Sequence, residues 1–283
     1  MTTKDNIWPA PAKINLFLHI TGRLDNGYHT LETIFQFLDY GDSLKFEING
    51  ANSILITPEV PGVSLSDNLI YRAAMLLKPH AKTNAGVVIN LSKILPMGAG
   101  LGGGSSNAAT TLVALNLLWQ CDLSVDDLAQ LGLVLGADVP IFVKGFAAFA
   151  QGVGEILTPV SPPQPWYLIV WPGVSVATAD IFNAPELPRD TQPIELKQLD
   201  SAILKNDCEK VTKNRHPEVA NALDWLIQYA PAKMTGTGSC VFGQFESEQA
   251  AAAALLDLPT TMHGFVAKGI NKSPLMATLA LHK

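Results

Sequence analysis

Pro96-Met-Gly-Ala-Gly-Leu-Gly-Gly-Gly-Ser-Ser106 is the stretch whose reading decides this chain, and it runs straight into Asn107-Ala-Ala-Thr-Thr-Leu-Val-Ala-Leu115. Five of the seven positions from 98 to 104 are glycine. Glycine accepts positive φ and lets a ligand come close to the backbone. Upstream, Val87 to Leu91 reads as a short strand; downstream, Ala108, Leu112, Leu115 and Trp119 recur at helical spacing, with Ser105 or Ser106 as the expected N-cap. A bare loop entering a helix offers unpaired amides and the positive end of a dipole, which suits a phosphate. The stretch implies the phosphate cradle of an enzyme that moves phosphate from ATP to a small molecule.

Other phosphate loops fit less well. A P-loop needs Lys-Ser or Lys-Thr after its last glycine, whereas Gly104 is followed by Ser105-Ser106. Gly98, Gly100 and Gly103 satisfy GxGxxG, but a dinucleotide site also needs an acid at a strand end about twenty residues on. The acids near that distance, Asp122, Asp126 and Asp127, sit at a helix start. Protein-kinase signatures such as HRD and DFG are absent.

The bulk of the chain narrows the class. Its 283 residues suffice for two domains, and 48% apolar with 16% charged residues suits a packed globular enzyme. The net charge is −6 with no basic run, which argues against nucleic-acid binding. Cys121, Cys208 and Cys240 lie far apart without metal-finger spacing and read as free thiols of a reducing compartment. The N-terminal residues lack a leader-type apolar run, and the apolar run Ala250 to Leu256 is too short for a bilayer and reads as a helix. A cytoplasmic chain with no membrane partner, monomeric or a weak homodimer, is expected.

Lys13 to Ile20 alternates, with Ile14, Leu16, Leu18 and Ile20 on the apolar face and Lys13, Asn15, Phe17 and His19 on the other. Asn26-Gly27 marks a turn before Tyr28-His29. Leu31 to Leu38 and Leu44 to Ile48 read as two strands, and Asn68 to Leu77 as a helix. Ser124 with Asp126 and Asp127 opens another helix, which Gly136 ends as a C′ residue. Asp138 precedes Val139-Pro140, which predicts extended backbone there. Ser161-Pro-Pro-Gln-Pro165 divides the chain into domains 1–160 and 166–283. In the second, Trp166 to Val170 reads as a strand, and Asp200 to Leu204 and Glu218 to Tyr229 as helices. Lys233-Met-Thr-Gly-Thr-Gly-Ser-Cys-Val-Phe242 is a second glycine loop entering a strand.

The first glycine loop resembles the central motif of the GHMP kinases. Pro11-Ala-Lys-Ile-Asn-Leu16, Gly27-Tyr-His29, Phe35-Gln-Phe-Leu-Asp-Tyr-Gly-Asp42, Gly136-Ala-Asp-Val-Pro140 and Gly236-Thr-Gly-Ser-Cys-Val-Phe242 are also similar to motifs of that family, in the same order along nearly the whole chain. Ala99 departs from the glycine that many members carry, which is harmless at negative φ. The resemblance implies an α+β, two-domain fold: an N-terminal α/β domain of the ribosomal S5 domain 2-like type, a C-terminal ferredoxin-like α+β domain, and an active site in the cleft between them. It implies ATP with Mg²⁺, and an alcohol acceptor. The likeness is greatest to the branch whose small-molecule substrate is a cytidine diphosphate-linked methylerythritol of the non-mevalonate isoprenoid precursor pathway, phosphorylated on its 2-hydroxyl.

Residue roles follow from the resemblance. Lys13 and Asp138 are the implied catalytic pair: Asp138 takes or orients the hydroxyl proton, and Lys13 keeps it ionised and stabilises developing charge. On spacing alone, Asp138 is an ordinary loop aspartate and Lys13 a solvated lysine. Asn15, Tyr28, His29 and Phe182 are the implied substrate residues, an aromatic and an imidazole suiting a pyrimidine; Asn15 alone reads as a strand residue bonded to a turn, and Phe182 alone as core. Pro96, Met97, Gly98, Ala99, Gly100, Leu101, Gly102, Gly103, Gly104, Ser105 and Ser106 are the implied ATP loop, one serine touching Mg²⁺, with Asn68 and Lys93 flanking the nucleotide. Thr237 and Gly238 either close the site over substrate or form a tight hairpin without a ligand. No protein cage for a metal is expected. A GHMP kinase acting on another alcohol needs no base-stacking aromatics, so Tyr28, His29 and Phe182 argue against it. A catalytically inactive nucleotide-binding regulator of the same fold has no need of both Lys13 and Asp138.

Overall fold

The computed structural model describes residues 6–84, 86–199 and 204–282. Two long strands begin it: β1, Ile7–Arg23, and β2, His29–Asn49, joined by the Asn26-Gly27 turn and paired antiparallel along most of their length. The sequence suggests two strands in β2, split near Gly41-Asp42. The strand instead runs through, because the backbone of Ala10 and Pro11 lies where a Cβ on Gly41 would sit, with Ala10 O only 2.3 Å away. Glycine here permits close strand contact rather than a turn.

The N-terminal half continues with β3 (Ile54–Thr57), α1 (Leu69–Leu77), β4 (Gly86–Ser92), α2 (Gly103–Leu118), α3 (Val125–Leu135), α4 (Val139–Lys144), β5 (Ala148–Gln151) and β6 (Ile156–Pro159). β3 and β4 pair in parallel with α1 between them, and β4 joins β2 antiparallel. Helices α1 to α4 bury their apolar residues against Trp8, Phe35, Phe37, Phe46 and Ile89 of the sheet in the largest core. α3 starts as expected: the Ser124 hydroxyl accepts from the Asp127 amide and the Asp127 carboxylate accepts from the Ser124 amide. Removing that cap with Ser124→Ala lowers stability by about 1 kcal/mol in a denaturant titration. Gly136 ends α3 with φ 171°, an extended cap rather than a left-handed one.

After residues 160–165, which form no strand or helix, come β7 (Trp166–Trp171), α5 (Thr178–Phe182), α6 (Glu209–Arg215), α7 (Pro217–Leu226), β8 (Ala232–Met234), β9 (Val241–Phe245), α8 (Glu248–Leu256), β10 (His263–Ile270) and α9 (Pro274–His282). The helix expected over Asp200 to Leu204 lies outside the described residues except for Leu204, which is in no helix. The sheet order β3-β4-β2-β10-β7-β9-β8 makes β10 the link between the halves: it pairs with β7 along six residues and with β2 at Leu38 and Phe37. A second core gathers Leu168, Val170, Val211, Val219, Leu226 and Met234, and β1 contributes Leu18 and Ile20 to it. A third lies between the halves, where Ile14, Leu38, Tyr167, Ile169 and Phe242 receive Ala99 and Leu101 from the glycine loop. No helix among the described residues is long and apolar enough to cross a membrane.

Candidate active site

The glycine loop alternates by design of its backbone. Gly98, Gly100 and Gly102 have φ of 61°, 77° and 70°, while the side chains of Ala99 and Leu101 between them are buried. Ala99 is absent from the positive-φ residues, so its methyl group is tolerated. The reason for Gly100 is structural: a Cβ there would lie 2.3 Å from Thr235 O, because the second glycine loop packs against the first. Thr235 Oγ1 also donates to Gly100 O at 3.3 Å, and Cys240 N donates to Ala99 O at 3.1 Å.

Gly102, in left-handed conformation, is the N-cap of α2, and neither serine caps the helix. Left-handed backbone at the cap turns the chain so sharply that the helix begins before Ser105 and Ser106, placing both in its first turn. Ser106 N donates the first intrahelical bond, to Gly102 O at 2.8 Å. The amides of Gly103, Gly104 and Ser105 precede it and, as first-turn amides, have no intrahelical acceptor. These residues line a cavity of about 930 Å³. That is at the upper end of the roughly 300–1,000 Å³ of small-molecule sites.

Asp42 anchors the loop from behind. Its side chain is fully buried; Oδ1 accepts from the amides of Ile94 and Leu95 at 2.8 and 2.9 Å, and Oδ2 from Lys93 Nζ at 2.7 Å and Asn107 Nδ2 at 3.1 Å. One carboxylate thus ties β2 to both sides of the glycine loop. Lys93 also donates to Leu95 O at 2.8 Å. From the other half, Ser175 Oγ donates to Met97 O and Val176 N to Gly98 O.

Across the cavity, a bulge in β1 between Pro11 and Lys13 aims the Lys13 side chain inward. Lys13 is only 3% exposed, which excludes a solvated lysine. Its Nζ donates to Asn15 Oδ1 at 2.7 Å and Gly100 O at 3.1 Å and lies 3.3 Å from Asp138 Oδ2, an acceptor for each ammonium hydrogen. The Phe35 ring lies beneath it, with Nζ 5.3 Å from the centroid. Asn15 is held in turn by Thr33, to which its Nδ2 donates at 2.9 Å, and by the Thr235 hydroxyl oxygen, to which its backbone amide donates at 2.9 Å.

Asp138 is not extended. It has φ −83° and ψ −11° and precedes α4, whose second residue is Pro140. Proline is tolerated at that position because first-turn amides have no helical acceptor, and Val139, wholly buried against Gly132, holds the turn in place. The Asp138 carboxylate makes no capping bond and is 34% exposed, so it faces Lys13 and the cavity together.

At the far end, Tyr28 sits 60% exposed on the rim, and buried His29 packs its ring on Phe182 with centroids 5.1 Å apart. Arg189, which sequence reading missed, donates from Nε to His29 Nε2 at 2.9 Å. Burial lowers the His29 pKa, with the Arg189 guanidinium second and Arg23 third, so the imidazole is held neutral. Asn68 caps α1 by accepting from the Ile70 amide and lines the cavity together with Lys93. Thr237 lines the wall and shares a hydroxyl contact with Thr178 at 3.2 Å.

The cavity therefore gathers Lys13, Asn15, Tyr28, His29, Asn68, Lys93, residues 96–105, Asp138, Phe182 and Thr237, drawn from almost every part of the sequence. Two expected residues lie outside its wall. Ser106 is buried in α2 with its hydroxyl unpartnered, and Gly238 packs toward Met234 in the hairpin of the second loop. Of the residues to which sequence reading assigned no role, Asp42 stands at the end of the Phe35–Asp42 motif and Thr235 in the second glycine loop; Arg189 acts across a large sequence separation and carries no local signal.

The cleft sets the glycine-rich start of α2 across from the Lys13–Asp138 pair. Residues 68–146 match the model of the GHMP kinases N terminal domain and residues 187–264 that of the GHMP kinases C terminal domain, and the chain belongs to the GHMP kinase family. Within it, the chain is 56% identical over 274 residues to the 4-diphosphocytidyl-2-C-methyl-D-erythritol kinase of Vibrio cholerae serotype O1, covering 97% of this chain and 94% of the relative. It is 57% identical to the protein of that name from Shewanella piezotolerans, covering 96% of each. A crystal structure of 4-(cytidine 5'-diphospho)-2C-methyl-D-erythritol kinase superposes with TM-score 0.80 at 32% identity, over 93% of this chain and 98% of the other. A mevalonate kinase structure matches at TM-score 0.65 and 19% identity over 94% and 99% of the two chains, a likeness of fold.

Proposed function

We propose that this chain transfers the γ-phosphate of ATP to the 2-hydroxyl of 4-diphosphocytidyl-2-C-methyl-D-erythritol, the compound of which its high-identity relatives are named as kinases. The observation that carries the reading is the Lys13–Asp138 pair, 3.3 Å apart in the cavity that the glycine loop also lines. A tertiary alcohol is a poor nucleophile, so a positioned carboxylate that accepts its proton lowers the barrier. The Lys13 ammonium, fixed by three acceptors, stabilises negative charge at Asp138 and at the transferring group. Phosphoryl transfer depends mainly on such positioning and electrostatics.

The triphosphate fits the amides of Gly103, Gly104 and Ser105, where the dipole of α2 favours an anion. Among the described residues, no group of three or more His, Cys, Asp or Glu forms a metal cage. The donor set suits Mg²⁺ that arrives on the phosphates and keeps most of its ligands from phosphate and water, with the Ser105 hydroxyl at the cavity wall as the protein contact. Mg²⁺ supplies neutralisation of phosphate charge when bound. Tyr28, His29 and Phe182 form the base end. The domain division at residues 161–165 belongs to the same reading, supported by the absence of strand or helix in that segment.

A coupled ADP-release assay across candidate alcohols tests the function. The cytidyl compound gives turnover and free methylerythritol gives little; equal turnover of both contradicts the reading. Tyr28→Ala and His29→Ala each raise KM for the cytidyl substrate by about tenfold, from lost stacking and one lost hydrogen bond, and leave KM for ATP unchanged. An equal rise in both KM values removes these residues from the base site.

A further inference from the structure

His29 and Arg189 are 160 residues apart in sequence, yet the guanidinium is locked around the ring. Arg189 donates from Nη1 to Leu187 O at 2.9 Å and from Nη2 to Phe182 O at 2.9 Å and Ala184 O at 2.7 Å, which leaves Nε–H directed at His29 Nε2. Arginine stays protonated in proteins and its Nε only donates. His29 Nε2 is therefore the acceptor, and the ring proton resides on Nδ1. Among the described residues no protein group bonds Nδ1, and the ring forms part of the cavity wall.

We propose that Arg189 is a positioning residue whose Nε–H fixes His29 as the Nδ1–H tautomer, giving the cavity a hydrogen-bond donor that selects cytosine over uracil. The inference rests on the cytidyl reading of the base end. The two pyrimidines differ at N3: cytosine offers a lone pair there, whereas uracil carries a hydrogen. A donor fixed on His29 pairs with the first and opposes the second. If the ring carried its proton on Nε2, Nδ1 would be an acceptor and the preference would reverse. The same guanidinium binds the carbonyl of Phe182, so it also sets the distance of the ring that packs on His29. Burial together with the Arg189 charge keeps the imidazole from taking a second proton, which leaves the single-donor form.

Nitrogen-15 NMR of histidine-labelled free enzyme reads the tautomer directly, with the His29 signal assigned by its loss in His29→Gln. The wild-type ring shows protonated Nδ1 and unprotonated Nε2. Arg189→Met yields a mixture of tautomers, raises KM for the cytidine diphosphate-linked substrate about tenfold, leaves KM for ATP unchanged and narrows the preference over the uridine diphosphate-linked analogue by about tenfold. Arg189→Lys retains a donor to Nε2 but not the carbonyl fork, so it keeps the Nδ1–H form and the cytosine preference even where KM rises. Protonated Nε2 in the wild type overturns the proposal, as does undiminished cytosine preference in Arg189→Met. A wild-type enzyme that ignores the cytidyl substrate defeats the function instead, and the tautomer measurement still decides whether Arg189 locks the ring.

Discussion

Asp138→Asn lowers kcat by about 10²–10⁴-fold while leaving ATP affinity within about twofold, the range expected for loss of a positioned proton acceptor. The variant isolates basicity from geometry. An asparagine oxygen still accepts from Lys13 Nζ across the 3.3 Å gap, and Lys13 keeps Asn15 Oδ1 and Gly100 O as its other acceptors. The carboxylate makes no helix-capping bond, so its loss removes nothing from α4. The glycine-loop amides proposed to hold the triphosphate belong to a different element and are unchanged. Coupled ADP release measures the first quantity and nucleotide titration the second. Wild-type kcat in the variant contradicts the role of Asp138; equal loss of ATP affinity means that the residue belongs to the nucleotide site.

Asp42→Ala destabilises the protein by about 3–5 kcal/mol, the cost of breaking a buried ion pair from one side. The substitution leaves the Lys93 ammonium without its carboxylate and the Ile94 and Leu95 amides without their acceptor. Asn107, at the start of the second turn of α2, loses its partner as well. Because these groups lie on both sides of residues 96–106, the glycine loop loses its anchor and ATP affinity falls along with stability. A denaturant midpoint and a nucleotide titration test both parts. An unchanged midpoint would mean that Asp42 is a bystander to loop geometry; unchanged ATP affinity in a destabilised variant would separate the anchor from the phosphate site.

Elements with strong local signals were legible in the sequence. The β1 alternation, the α3 capping box, the strand at Trp166 and the helix near Ala250 all appear where periodicity or capping places them. β10 was not, because Gly264 and Gly269 interrupt its alternation; a Cβ on Gly269 would lie 2.7 Å from the Tyr167 ring, so close packing between the halves selected glycine over a strand-forming residue. The start of α2 was misplaced because serine is a favoured cap, whereas a left-handed Gly102 makes the cap through backbone alone. The polar face of β1 reads as solvent-facing, yet Lys13, Asn15 and His19 are buried, since the strand pairs lay the site over that face.

The pairing of Lys13 with Asp138 was visible only through resemblance. Lys13 and Asp138 carry no mutual sequence signal at a separation of 125 positions, and the bulge that aims the lysine follows from pairing with β2. Asp42 illustrates the opposite case, a residue inside a recognised motif whose work is to hold backbone amides. Thr235 sits in the recognised second glycine loop, and Arg189 in no recognised motif. Their partners, Gly100 and His29, lie more than a hundred positions away and meet them only in the folded structure.

The central claim is that the triphosphate seats on the start of α2 with its terminal group directed at Lys13 and Asp138. A crystal structure with a non-hydrolysable ATP analogue and the cytidyl alcohol measures it. The account predicts phosphate oxygens within hydrogen-bonding distance of the Gly103, Gly104 and Ser105 amides, and the acceptor hydroxyl between the γ-phosphate and the Asp138 carboxylate. Triphosphate density elsewhere in the cavity, or a γ-phosphate remote from both side chains, would contradict it.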